Sequence, residues 1–72
     1  MGKNTRPIPN SSAKKILEHF GAKRVSAEAA EEMVFVLEEL ANEISKKAIE
    51  LAKHSGRKTV QEEDIKLAAK LV

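Results

Sequence analysis

The 72-residue chain has no Cys, no Trp and no Tyr, and only two Phe, two Pro and three Gly. Without Cys it can form no disulfide, and its two His, with no thiol to join them, argue against a zinc site. Zero Cys fits any redox compartment and decides nothing about location. No apolar run approaches the roughly 20 residues that a membrane-spanning helix needs. The N-terminal region, with Lys3 and Arg6 ahead of Pro7-Ile8-Pro9, lacks the apolar core of a signal peptide, so the expected setting is intracellular.

What is present is charge and aliphatic surface in helical order. Charged residues make up 33% and hydrophobic residues 42%, the balance of a helix-rich globular chain with room for one domain. The run from Ala27 to Ser55 reads as one uninterrupted helix. Roughly 29 residues make a rod of about 43 Å, whereas a compact monomer of this length has a radius of gyration near 11 Å. Ala30, Met33, Val34, Leu37, Leu40, Ala41, Ile44, Ala48 and Leu51 step by threes and fours along it, forming one apolar stripe. Only a short helix on each side is available to cover that stripe. Ala13, Ile16, Leu17 and Phe20 give the first its apolar face, and Ile65, Leu67, Ala68, Leu71 and Val72 the second. Domains this small bury only about 60% of their unfolded surface and often need oligomerisation, so a second copy is expected to complete the core.

Boundary signals fit that plan. Ser11 or Ser12 is expected to cap the first helix and Gly21 to stop it. Ser26 caps the long helix, Gly56 ends it, and Thr59 with Glu62 predicts a capping box for the last. Pro7 and Pro9 deny a helix to residues 1–9, which read as a flexible arm ahead of a domain over 10–72.

The net charge of +2 is modest, but its placement is not uniform. Glu28, Glu31, Glu32, Glu38, Glu39 and Glu43 occupy the first part of the long helix, while Lys23 and Arg24 precede it and Arg57 and Lys58 follow it. The helix macrodipole alone explains Lys53, and for Lys23 it competes evenly with a binding role. Gly56-Arg57-Lys58-Thr59 outlines a phosphate site: a glycine turn, two cations and free N–H groups at a helix start. It is not a nucleotide-binding loop, because Arg57 stands where a Gly should precede the Lys. Arg57 and Asp64 flank the Thr59 position and can pair to brace the loop, a role preferred for Arg57 over direct phosphate contact.

These residues resemble the archaeal histones, in the Lys23-Arg24-Val25-Ser26 lead-in and above all in Leu51 through Thr59 with Glu63-Asp64-Ile65. The resemblance runs from about Pro9 to the C-terminus. It implies an all-α histone fold, short helix, loop, long helix, loop, short helix, as an intertwined handshake dimer. It also implies duplex DNA as partner, gripped without cofactor or metal by DNA-binding residues Lys14, Lys15, Lys23, Arg24, Arg57, Lys58 and Thr59. Arg24 would point into the minor groove and Lys58 and Thr59 would contact phosphates beside the partner's first loop, so DNA is positioned and bent rather than read. Leu51, His54 and Asp64 correspond to the dimer–dimer contact through which longer stacks grow, with Glu62 and Glu63 opposing it by repulsion. His19 is read as a surface residue.

The chain departs from the family at Asn10-Ser11-Ser12, at Lys15 where an Arg is usual, and at Glu18, often basic; all three weaken the first-helix contact. The expected function is a chromosome-associated, cytoplasmic histone that compacts DNA as a homodimer or a heterodimer with a paralogue. The alternative is a histone-fold interaction subunit of a transcription-factor-like assembly, using the acidic part of the long helix. No carboxylate pair, nucleophile–base couple or metal constellation supports an enzyme.

Overall fold

The structure, a computed structural model, describes residues 7–72, so Lys3 and Arg6 of the expected arm lie outside the described residues. Three helices follow one another, α1 (Asn10–His19), α2 (Ala27–His54) and α3 (Glu62–Leu71), with no strand among the described residues. The expected all-α, short–long–short order is the one observed. At 28 residues α2 is about 42 Å long. The chain divides into two compact units, residues 1–38 and 39–72, each including part of α2.

In the first unit α1 begins two residues earlier than a cap at Ser11 predicts and three earlier than a cap at Ser12. Pro9 is its N-cap, in extended conformation at φ −73° and ψ 148°, and its carbonyl accepts the Ser12 N–H at 3.1 Å. The ring presets φ for a helix start, which a serine cap would otherwise have to select. No side chain caps α1. At the other end the Gly21 N–H bonds the Glu18 carbonyl at 3.0 Å and the Ala22 N–H reaches back to Leu17 at 3.1 Å. That is a Schellman motif, and Gly21 supplies the positive φ of 113° that it requires. Ser26 caps α2 as expected, its Oγ accepting the Ala29 N–H at 3.0 Å.

The second unit repeats the device. The Gly56 N–H bonds Lys53 and the Arg57 N–H bonds Ala52, both at 2.9 Å, with Gly56 at φ 72°. The box expected at Thr59 and Glu62 forms two residues later. Gln61 is the N-cap of α3 and its N–H donates to Asp64 Oδ2 at 2.8 Å. Both spacings are permitted by sequence; the second prevails because Asp64 is also anchored by Arg57.

What the chain buries is small. Among the described residues the buried hydrophobics are Ala13, Ala30 and Val34 in the first unit, and Ala48, Ala52 and Ala68 in the second. Five of these six are alanine. Along the α2 stripe Met33, Leu37, Ile44 and Leu51 are half-buried and Leu40 is exposed. Ile16, Phe20 and Val36 in the first unit, and Ile65, Leu67 and Leu71 in the second, are exposed as well. Full burial of one such side chain contributes roughly 1.5–3 kcal/mol, so most of the apolar stabilisation available to this sequence is unrealised within one copy.

Candidate nucleic-acid interface

The two loops have the same construction. Each starts at a positive-φ glycine that closes the preceding helix and reaches its N-cap five residues on, Gly21 to Ser26 and Gly56 to Gln61. Lys23 and Lys58 lie two residues past the glycine, Arg24 and Thr59 three, Val25 and Val60 four. This equivalence was legible as a repeated Gly-x-Lys-x-Val spacing, a signal much shorter than the repeats that define solenoid folds. Lys23, Arg24, Lys58 and Thr59 are all exposed; Val25 is half-buried, whereas its counterpart Val60 is itself exposed.

The second loop is fixed by a charged pair. Arg57 donates from Nη1 to Asp64 Oδ2 at 2.9 Å and from Nη2 to Oδ1 at 3.0 Å, a two-pronged contact. Nη1 also donates to the Thr59 carbonyl at 2.9 Å, which ties the loop's apex to the start of α3. Asp64 is only 4% exposed, a position where a carboxylate persists only if paired. The Arg57 hydrogen bonds, then the one from the Gln61 N–H, hold its pKa down to about 2 against the burial that opposes them. Arg57 is raised above its usual value, chiefly by its hydrogen bond to Asp64, and stays cationic. The structure therefore brings Arg57 and Asp64 together and leaves part of the guanidinium fork uncommitted. The Thr59 side chain is not the helix cap and remains exposed.

The first helix offers a third cationic region. Lys14 and Lys15 are exposed, and Lys14 lines a groove with Asn10, Ser11, Val25, Ser26, Ala27 and Ala30. α1 has no acidic residue in its first turn, whereas α2 has Glu28 and α3 has Glu62, Glu63 and Asp64. Among the described residues, of the three helix starts only that of α1 has no carboxylate in its first turn to repel a phosphate.

Leu51 and His54 stand one turn apart at the end of α2, the first half-buried and the second exposed beside Glu50 and Lys53. Asp64 is committed to Arg57 and Glu62 is paired with Lys66 at 2.8 Å, so Glu63 is the acidic neighbour outside both pairs. His19 is exposed and meets Phe20 edge to face at 5.1 Å. Among the described residues no group of three or more His, Cys, Asp or Glu could hold a metal ion, and no helix is long and apolar enough to cross a membrane.

Comparison with known proteins accounts for this layout. Residues 6–69 match the family described as histone-like transcription factor (CBF/NF-Y) and archaeal histone. One of the subunits of the archaeal histone HAN1 from Thermococcus zilligii is 46% identical over 63 residues, 88% of this chain and 94% of that protein. The probable archaeal histone 3 of Methanocaldococcus jannaschii is 46% identical over 61 residues, 85% and 91% of the two chains. Both relatives are histones rather than enzymes. With its helix order, its twin glycine-closed loops and this match across nearly its whole length, the chain belongs to the archaeal histone and histone-like transcription factor family.

Proposed function

We propose that this protein is an archaeal-type histone that closes into a handshake dimer, binds duplex DNA through its backbone, bends it and compacts the chromosome. One observation carries the reading: the same glycine-closed loop presents Lys23 and Arg24 in one unit and Lys58 and Thr59 in the other. The chain that bears these loops leaves its large aliphatic side chains uncovered. A second copy, identical or a paralogue, covers them and sets the first loop of one subunit beside the second loop of the other. Each such corner gathers Lys23, Arg24 and Lys58 against the phosphates, with Thr59 as a neutral donor. Arg24 enters the minor groove, and Lys14 and Lys15 extend the track from α1. The Arg57–Asp64 pair holds the second loop in one conformation before DNA arrives, so little ordering cost falls on binding. Dimers stack along the DNA through Leu51, His54 and Asp64.

None of these groups reads base edges, so affinity follows charge and DNA deformability. Six loop cations per dimer predict a log–log salt slope of about −5, and about −9 if Lys14 and Lys15 of both chains also engage. Titration of unrelated duplexes at several salt concentrations measures it. Arg24→Ala with Lys58→Ala should weaken every duplex alike; a flat salt response, or unchanged affinity in that variant, would favour a protein-interaction subunit instead.

A further inference from the structure

Two grooves, one in each unit, carry opposite charge; the first lies outside the DNA track proposed above, and the second shares Lys58 with it. In the first unit Glu28, Glu31 and Glu32 line a groove together with Phe35, which is 45% exposed. In the second Ile49, Ala52 and Val60 supply the apolar lining of a groove whose other walls are Lys53, Arg57 and Lys58, and Ile49 is 46% exposed. The positions match. Glu31 and Phe35 follow buried Ala30 by one and five residues, and Ile49 and Lys53 follow buried Ala48 by one and five. At about 100° per residue both pairs stand roughly 100° and 140° round the helix from the buried alanine of their own unit. Phe35 and Ile49 therefore stand to the side of the buried alanine of their own unit and are exposed, although buried Ala52 also lines the second groove.

An aromatic ring beside three carboxylates repels phosphate, but it suits a cation carried on an aliphatic stem beside an apolar side chain. The second groove supplies both, in Lys53 and Ile49. We propose that the two grooves dock on each other between different copies of the chain, α2 against α2 in opposite directions, with Phe35 of one copy on Ile49 of the other and Glu31 beside Lys53. Direction follows from spacing: acid then ring four residues later meets aliphatic then base four residues later only when the helices run antiparallel. Glu31 and Lys53 each lie eleven residues from Asn42, and Phe35 and Ile49 each lie seven. The contact made at one end is therefore repeated at the other, as a two-fold interface demands. Asn42 falls at the centre, exposed, with an amide that both donates and accepts. Arg57 keeps Asp64 and Lys58 is assigned to DNA above, which leaves Lys53 as the cation that pairs.

The inference rests on the handshake-dimer reading, since the copies that meet this way are dimers whose α2 stripes are already covered. Sedimentation velocity at high protein concentration and low salt should find four-chain particles in the unmodified protein. Phe35→Ala should weaken the association of dimers by about tenfold or more, through loss of apolar contact at both symmetric ends. Glu31→Lys should do the same by placing like charges together, and adding Lys53→Glu should restore the four-chain particle with the pair reversed. All three positions are exposed, and circular dichroism checks that each variant keeps its helices. Particles that stop at two chains, a Phe35→Ala variant that assembles like the parent, or a reversed pair that fails to restore assembly would each overturn the contact while leaving the dimer intact. A single-chain mass would overturn both.

Discussion

Leu40→Ala tests whether a second copy completes the core. Leu40 sits on the α2 stripe and is 49% exposed in one copy, although it belongs to the apolar set that the helix should bury. If the chain worked alone, half of this side chain would already be wet, and truncation would remove about 1 kcal/mol of transfer free energy. If a second copy covers it, truncation costs the usual 2–5 kcal/mol for an enclosed Leu, in each of two chains. The dimer then loses about 4–10 kcal/mol, which raises its dissociation constant by at least about a thousandfold. Thermal unfolding followed by circular dichroism over a wide range of protein concentrations reads both quantities. The parent's midpoint should rise with concentration, because folding and association are one equilibrium. The variant should show the same trend, displaced to much higher concentration. A midpoint independent of concentration, together with a Leu40→Ala loss near 1 kcal/mol, would refute the argument that the stripe is covered by another chain.

The helix ends make a second test. Alanine at Gly56, where φ is 72° and an added Cβ meets nothing, should cost about 1–2 kcal/mol in chemical denaturation, through backbone strain alone. Gly21→Ala should cost more, since φ 113° lies outside the small left-handed region that L residues tolerate; equal costs would contradict that reading. Asp64 predicts the shape of acid denaturation. Its pKa is lowered from its ordinary 3.8 to about 2, so its stabilising contribution is complete above about pH 4 and fades as pH falls toward 2. Asp64→Asn should be less stable at neutral pH and should lose that part of the acid limb; a limb unchanged in the variant would assign it to other carboxylates.

Much of this was written into the order of residues. Apolar positions three and four apart specify α2 wherever the chain is placed, and Gly21 and Gly56 mark both turns because only glycine enters positive φ without strain. The Ser26 cap was equally legible, since its oxygen acts on an N–H three residues away. Local chemistry with a single outcome can be read without a structure. Where two local outcomes compete, it cannot. Pro9 begins α1 although Ser11 and Ser12 are both good caps, and Gln61 with Asp64 displaces the equally well-spaced Thr59 with Glu62. In the second case Arg57, seven residues away, holds the Asp64 carboxylate with two hydrogen bonds and so selects the register of the cap. Tertiary structure alone also decided which apolar residues are hidden. The pattern marks the whole stripe as buried, yet burial depends on what lies opposite, and among the described residues the hydrophobic side chains that one copy fully covers are five alanines and Val34. Periodicity states which face must be covered; the packed chain reveals how much covering it cannot supply for itself.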